Sequence, residues 1–270
     1  MVYYSLKQWL AFFFIYCFLG WCVESTIVSV THRQLVNRGF LKGPILPLYG
    51  FGALTMLVAT MGVRDHLVLV YIYGTLGATA LEYVTGVLME AMFKMKYWDY
   101  SDKKFNLNGY ICLKSSLFWG VLTLVMVKGI HVYIEPLVLK MPEQLLATIV
   151  FVVLVVFLID LAESFRKAFD FQKLLVYQAK MKAEIAELSA RVTDVREAFS
   201  EISNEKQAAL IRAQEARLEK SKAELENVKD KAAVLRDSIL RSFPTASSSR
   251  FSEFLEELKQ WIPRNTDKNE

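Results

Sequence analysis

Five apolar segments occupy most of the first 165 residues, and they restrict the chain to folds that a membrane permits. They run over about 9–30, 45–61, 66–89, 111–134 and 144–165. A helix needs roughly 20 residues to cross the hydrocarbon core, where every backbone polar group must be satisfied internally. The sequence therefore predicts an all-α, polytopic membrane helix bundle of about five spans, of which the second is the shortest.

The basic residues between these segments predict how the bundle is oriented. The first connection carries Arg33, Arg38 and Lys42, and the third carries four lysines. The second has only Arg64 and the fourth only Lys140. Because positive residues stay on the cytoplasmic side, we expect a multi-pass plasma-membrane protein with its N-terminus outside and its C-terminal region in the cytoplasm.

Charge is concentrated in the second part of the chain. Residues 1–163 carry 12 Lys and Arg and 10 Asp and Glu, whereas residues 164–270 carry 20 and 18. The first part is therefore predicted as a membrane domain and the rest as cytoplasmic. The net charge of +4 is too small to indicate a nucleic-acid partner.

The cytoplasmic part is predicted to be mainly one long coiled-coil region, 164–242. No glycine follows Gly129, and no proline lies between Pro142 and Pro244, so the fifth span can continue as a helix. One apolar seam with three-to-four spacing contains Met181, Ile185, Leu188, Val192, Val195, Phe199 and Ile202. A second contains Leu218, Leu225, Val228, Ala232, Leu235 and Ile239. The register changes near 203–206, which indicates either a stutter in one helix or a hairpin.

Two shorter segments complete the predicted organisation. Residues 243–250, FPTASSSR, have the composition of a linker. Residues 251–270 form a predicted amphipathic helix and tail, whose apolar positions are Phe251, Phe254, Leu255, Leu258, Trp261 and Ile262. This helix could lie on membrane lipid or dock on a partner, and its mixed charge favours docking. The coiled coil predicts a homo-oligomer or a partner protein.

Charged residues inside the spans are the candidate functional residues. Such a residue costs at least about 2.5–3.5 kcal/mol near the bilayer centre, so it usually faces the bundle interior and has a partner. Glu24 and Glu82 lie in spans, and Lys114 begins the fourth. We expect these three to meet near the cytoplasmic side, with Arg38 or Lys42 beside them. The cluster is either a structural ion pair that fixes helix register or a substrate or ion site.

A faint internal repeat accompanies the two glutamates. Gly39-Phe40 followed by Tyr49-Gly50 recurs seventy positions later as Gly109-Tyr110 followed by Trp119-Gly120. A span with a glutamate precedes each copy. The pattern fits two parallel units of span, connection and span, although recurrence by chance explains it as well.

The third connection, KMKYWDYSDKKFNLNGYICLK, is dense in aromatic and polar residues. It is either an ordinary interfacial loop with an aromatic belt or a folded cap over the cytoplasmic mouth.

Motifs for catalysis are absent from the sequence. It contains no G-x-x-x-x-G-K-[ST], H-E-x-x-H or G-x-S-x-G pattern, and its three cysteines and three histidines show no metal-ligand or disulfide spacing. We therefore expect no enzyme activity, no metal and no cofactor, and cysteines that are buried and inert.

Four stretches carry a family resemblance: FFFIYCFLGWCVES, NRGFLKGPILPLYGFGA, LEYVTGVLME and YWDYSDKKFNLNGYICLKSSLFWG. Over about 12–124, the chain resembles the ABC-transporter type IV, or CmpB-like, permease family of bacterial integral membrane proteins. The charged tail is not part of that pattern. The resemblance carries over the following positions without assigning chemistry: Glu24, Asn37, Arg38, Gly39, Gly43, Pro44, Tyr49, Gly50, Glu82, Trp98, Asp99, Tyr100, Phe105, Asn106, Gly109 and Cys112.

These observations predict a permease-like transport component that lacks its own ATPase and relies on a separate one. Two alternatives stay open. One is a membrane-anchored scaffold or regulator that acts through its coiled coil. The other is an intramembrane enzyme that uses Glu24 and Glu82 on lipid or cell-envelope precursors.

Overall fold

The structure is a computed structural model, and it describes residues 4–33, 35–198, 205–240 and 246–248, together with Phe251 and Leu255. Contacts divide the chain into two units. The first comprises Met1–Arg166 and Ile239–Ser249, and the second comprises Lys167–Ser238 and Arg250–Glu270. Each unit is described separately below.

The first unit is a bundle of apolar helices. They are α1 (Leu6–His32), α2 (Pro47–Thr60), α3 (Leu67–Phe93), α4 (Leu113–Leu124), α5 (His131–Leu139) and the beginning of α6 (Glu143–Ala198). A π-helical turn, Val125–Ile130, joins α4 to α5. Two short antiparallel strands, β1 (Asn106–Leu107) and β2 (Ile111–Cys112), lie between α3 and α4. Strand β2 and the Cys112 cap explain why the fourth helix begins later than predicted.

Four helical segments of the described chain are long and apolar enough to cross a membrane. They are Leu6–Thr31, Leu67–Phe93, Leu113–Leu139 and the apolar beginning of Glu143–Glu197. Helix α2, predicted as the second of five spans, has only 14 residues. It is about 21 Å long, against about 30 Å for the hydrocarbon core. It begins late because Pro47 occupies its first turn and Leu46 stays extended.

Aromatic rings join three parts of the first unit on one face. Phe40 lies in the first connection, and its ring is 5.6 Å from the ring of Phe93, the last residue of α3. The ring of Tyr97, in the third connection, is 5.8 Å from that of Phe40. The Phe165 ring of α6 lies 5.1 Å from Phe40. The first connection, the third connection and this turn of α6 therefore lie at the same end of the bundle.

Residues 246–248 also belong to this unit, although they fall in the predicted linker. The backbone of Ser247 pairs with that of Lys96 through hydrogen bonds of 2.7 and 3.0 Å. The Ser248 hydroxyl donates to the Lys94 carbonyl at 2.8 Å. This segment is therefore held on the third connection.

The second unit contains the rest of α6 and helix α7 (Glu205–Leu240). Arg196 of α6 forms a 3.3 Å ion pair with Glu215 of α7. In one straight helix these residues would be about 28 Å apart. Helix α7 therefore folds back beside α6, as the hairpin alternative predicted.

The predicted seams follow the less exposed positions of these helices. Ile185, Leu188, Val192, Val195, Leu218 and Leu225 are half-buried, and Met181 and Val228 are buried. Phe199, Ile202 and most of 251–270 lie outside the described residues, as do the side chains of Ala232, Leu235 and Ile239. The coiled coil itself stays a prediction.

Candidate functional site

Glu24 lies near the end of α1, where α2 and the first connection supply its partners. The Tyr49 hydroxyl donates a 2.8 Å hydrogen bond to Glu24. Arg38 Nε lies 3.7 Å from the other carboxylate oxygen, and the two side chains are 17% and 31% exposed. The Arg38 backbone N–H donates to the Ser25 hydroxyl at 3.1 Å, which fixes the connection against α1. Glu24 is thus held by one hydroxyl and one cation.

Glu82 of α3 is only 4% exposed and is held differently. The Ser115 hydroxyl contacts its two oxygens at 2.7 and 3.0 Å. The Trp119 indole N–H donates at 3.0 Å, and the Tyr100 hydroxyl donates at 3.4 Å. Neutral donors therefore surround this carboxylate, and no described cation lies within ion-pair distance of it.

Aromatic side chains connect the two carboxylates into one cluster. The rings of Tyr49 and Trp119, which bind Glu24 and Glu82 respectively, lie 5.6 Å apart. Burial raises the pKa of Tyr100 to about 12, and the negative charge of Glu82 adds to the effect. Burial lowers the pKa of Arg38, while the charge of Glu24 opposes this shift. The cluster is a partly desolvated polar centre between α1–α2 and α3–α4.

Two of the predicted site residues lie elsewhere. Lys114 is exposed in the first turn of α4 and makes no ion pair with Glu82 among the described residues. Neutral hydroxyl and indole donors bind Glu82 in place of the predicted Lys114 counter-charge. Lys42 forms an ion pair with Glu163 of α6 rather than with Glu24. Of the basic candidates, the structure places only Arg38 at the cluster.

The first connection is fixed by several of the residues that resemble the family. Asn37 accepts a 2.5 Å hydrogen bond from the Trp21 indole and donates to the Lys42 carbonyl at 2.6 Å. The backbone N–H groups of Lys42 and Gly43 donate to the two carboxylate oxygens of Asp160, at 3.0 and 2.8 Å. A Cβ at Gly43 would lie 3.0 Å from that carboxylate, which explains the glycine. The loop that carries Arg38 is thus attached to α6.

The third connection is folded, as one of its two readings predicted. Trp98 donates to the Tyr110 carbonyl at 2.8 Å, and the Tyr100 N–H donates to the Gly109 carbonyl at 2.8 Å. Asn106 donates to the carbonyls of Ser101 and Lys103 and accepts from the Gly109 N–H. Gly109 has a φ of +74°, a backbone conformation that favours glycine. This fold carries the Tyr100 hydroxyl to Glu82.

The Asp99 carboxylate closes the other side of the third connection. It accepts hydrogen bonds from the Ser101 N–H at 2.9 Å, from the Ser101 hydroxyl and from the Ser247 hydroxyl. Partial burial raises its pKa, but these hydrogen bonds outweigh burial and hold the pKa below its usual range. Phe105, by contrast, is 80% exposed and contributes nothing to the site.

The contacts of the two glutamates fall on positions that the predicted repeat aligns. Tyr49 binds Glu24, and Trp119, seventy positions later, binds Glu82. The glycine that follows each aromatic residue approaches the preceding long helix closely. A Cβ at Gly50 would lie 2.3 Å from Cys17 Sγ, and one at Gly120 would lie 2.2 Å from Thr75 Oγ1. Cys17 and Thr75 each precede their glutamate by seven residues.

A second polar cluster at the opposite end of the bundle was missed by the sequence analysis. His131 is 1% exposed and lies between two tyrosine hydroxyls, Tyr16 at 2.8 Å and Tyr4 at 3.4 Å. Tyr4 also donates to Glu135. His131 and Glu135 are four residues apart in an apolar helix, so their spacing was the available signal. The π-helical turn that ends just before His131 contributes to its placement.

Both clusters are held together by charge and by hydrogen bonds. Within the described ranges, no group of three or more His, Cys, Asp or Glu side chains could hold a metal ion. The charged and hydrogen-bonding groups of Glu24, Arg38 and Glu82 can bind a polar or charged group.

Comparison with known proteins gives one match. A family model described as "Putative ABC-transporter type IV" matches residues 11–165. The match extends through the apolar part of α6, beyond the 12–124 expected from the resemblance, and it ends where the charged tail begins. No curated protein and no solved structure matches the chain. Because the matched region covers more than half of the sequence, this protein belongs to the putative ABC-transporter type IV family.

Proposed function

We propose that this protein is a permease-like transport component of the plasma membrane, with the polar centre of Glu24, Arg38 and Glu82 as its solute or ion site. The observation that carries the proposal is the convergence of two span carboxylates on one aromatic-lined cluster. Charged groups inside a membrane domain are costly and commonly line transport pathways. A family described as ABC-transporter fits this role.

A separate ATPase supplies the energy in this proposal. The sequence has no P-loop pattern, so ATP hydrolysis requires a partner chain. A partner of this kind would have to reach the cytoplasmic face of the membrane domain. The first connection, the third connection and residues 246–248 offer folded surfaces there.

The proposed topology has five crossings, with the N-terminus outside and the tail inside. The contacts of Phe40 with Tyr97 support it, because they place the first and third connections at one end of the bundle. The chain returns to that end only if α2 crosses in one direction and α3 in the other. Both connections are rich in Lys and Arg, which fits a cytoplasmic position.

Thiol labelling in intact cells tests this topology. In a chain whose three cysteines are replaced by serine, Gly62→Cys in the second connection should react with a membrane-impermeant maleimide. Lys104→Cys in the third connection should react only after the cells are permeabilised. Labelling of both or neither in intact cells contradicts five crossings.

The function is tested by solute profiling of cells that carry the protein or its variants. Glu24→Gln with Glu82→Gln should abolish the change in cellular solutes that the wild-type protein causes, because both charges of the site are lost. Glu143→Gln is the control, since Glu143 is exposed and paired only with Lys7 at the other end. A double variant that retains the wild-type solute profile, at equal membrane abundance, overturns the proposal.

A second candidate function, a membrane-anchored scaffold, is favoured by the hairpin of α6 and α7. The less exposed positions of α7 recur at three- and four-residue spacing at Ile211, Gln214, Leu218, Ser221, Leu225 and Val228. That pattern supports a coiled coil able to accept a partner helix. Leu188→Lys with Leu225→Lys should release partner proteins and leave solute transport unchanged if the scaffold function is separate.

A further inference from the structure

The second polar cluster forms an ordered row of hydrogen-bonding groups. It joins Tyr16 of α1, His131 at the start of α5, Tyr4 before α1, and Glu135 one turn after His131. Tyr16 and His131 are buried, at 5% and 1% exposure, whereas Glu135 is half-buried. The row therefore leads from the bundle interior toward its surface, at the end that carries the second connection.

Each group in the row can donate to the next. The Tyr4 hydroxyl donates to the Glu135 carboxylate. In the tautomer with the ring proton on Nε2, the His131 Nε2–H donates to the Tyr4 oxygen and the Tyr16 hydroxyl donates to Nδ1. In this arrangement, every proton has an acceptor, and every internal member both donates and accepts. Such a row can pass a proton along by successive hops without moving any side chain far.

Arg64, from the connection between α2 and α3, lies close to the Tyr4 and Glu135 end of the row. Burial together with Glu135 raises the Tyr4 pKa, while nearby Arg64 opposes the shift. Two of its nitrogens, Nε and Nη2, are buried and have no acceptor among the described residues. Buried donors without protein acceptors are usually satisfied by water. The Tyr4 end of the row therefore adjoins a polar space that water can fill.

We propose that this row is a proton-binding site, in which His131 takes up a proton from water through Tyr4 and Glu135. Uptake uses the tautomer whose Nδ1–H donates to the Tyr16 oxygen, so that Nε2 accepts from the Tyr4 hydroxyl. Glu135 takes a proton from water and passes it to the Tyr4 oxygen, while the Tyr4 hydroxyl proton moves to Nε2. The resulting imidazolium is balanced by the Glu135 carboxylate. The charged and titratable groups that face His131 are Tyr4, Tyr16, Arg64 and Glu135. The site does not depend on the polar centre at Glu24 and Glu82, and its ligand is a proton.

The site lies on the same helix as the first polar centre. Tyr16 and Glu24 are eight residues apart on α1, which is about 12 Å along the helix axis. The two clusters are thus separated by roughly two helical turns. A protein with a proton site at one end and a polar centre at the other could respond to external pH.

Nitrogen-15 NMR of the histidine rings tests the proposal. His32→Gln with His66→Gln leaves His131 as the only histidine. In detergent, we expect the ring signals of His131 to change from neutral to imidazolium as the pH is lowered. Glu135→Gln should lower the midpoint by about one pH unit or more because it removes a negative neighbour, and Arg64→Gln should raise it for the opposite reason.

Control variants distinguish a proton-binding role of the row from a purely structural role of its hydrogen bonds. Glu143→Gln removes an exposed carboxylate and should leave the midpoint unchanged. Tyr4→Phe should slow exchange of the His131 ring proton with water, whereas Tyr133→Phe, at a 75% exposed tyrosine of α5, should not. A ring that stays neutral across the pH range in which the protein remains folded overturns the proposal. So does a midpoint that ignores both Glu135→Gln and Arg64→Gln.

Discussion

Glu24 and Glu82 each accept a hydrogen bond from an aromatic residue that the predicted repeat aligns, Tyr49 and Trp119, but the protein stabilises the two carboxylates in different ways. Glu24 is about one-third exposed, and a cation, Arg38, compensates its charge. Glu82 is buried and relies on three neutral donors, Ser115, Trp119 and Tyr100. A carboxylate in an apolar bundle thus needs saturated hydrogen bonding or a counter-charge, and either is sufficient.

The difference follows from one residue in each connection. The residue before Gly39 is Arg38, whereas the residue before Gly109 is Asn108, which carries no charge. Beside Glu82, the longer and folded third connection instead contributes the Tyr100 hydroxyl. The two halves of the polar centre therefore differ in charge, and a bound solute would meet a salt-bridged side and a hydrogen-bonded side.

The largest expected effect comes from removing the buried carboxylate. Glu82→Ala leaves three hydrogen-bond donors without an acceptor and creates a cavity. It should therefore lower the free energy of unfolding by about 3 kcal/mol. Glu82→Gln keeps an acceptor and the volume, so it should cost about 1 kcal/mol. Thermal unfolding in detergent, followed by tryptophan fluorescence, measures both. If both variants lose the same free energy of unfolding, the hydrogen bonds to Glu82 do not stabilise the protein.

The close approach of helices within each half predicts the next effect. Gly50→Ala and Gly120→Ala place a methyl group against Cys17 and Thr75, and each should cost about 2 kcal/mol. Gly129→Ala is the matched control, because a Cβ there meets nothing within 4 Å. If only one of the two glycines is sensitive in the same thermal assay, the halves do not pack equivalently.

Breaking the salt-bridged half should have a smaller effect. Arg38→Gln leaves Glu24 with Tyr49 alone, and because both side chains are partly exposed it should cost about 1 kcal/mol. Glu24→Gln combined with Arg38→Gln should recover part of that loss, since no uncompensated charge remains. A double variant less stable than the sum of its single variants would contradict a charge-pairing role.

The smallest effect is a pH dependence at the third connection. The folded-state pKa of Asp99 lies below its usual range, so its stabilising contribution is present above the unfolded pKa, about 3.9, and is lost as the pH falls through the folded value. Ser247→Ala removes one of the hydrogen bonds responsible and should flatten this acid dependence. Ser248→Ala, whose hydroxyl contacts a carbonyl, should not. Unfolding temperature measured against pH distinguishes the two.

The sequence predicted the helical class and the uninterrupted helix α6, because hydropathy and the placement of glycine and proline determine these features locally. It did not predict the partner of Glu82. The cost of a buried charge predicts that Glu82 has a partner, but indole and hydroxyl donors satisfy it as well as the predicted lysine, Lys114, would. The hydrogen-bonded row around His131 was not predicted from the sequence, for a related reason. Its members come from distant parts of the chain, and tyrosines are unremarkable in apolar segments.

The attachment of the first connection to Asp160 has a mechanical consequence. The carboxylate holds the backbone of Lys42 and Gly43 from α6, only four residues from Arg38. Asp160 projects from the surface of α6, so a rotation of the helix about its axis would move this carboxylate sideways. The attached loop would move with it. A rotation of this turn of α6 would thereby change the distance between the Arg38 guanidinium and the Glu24 carboxylate.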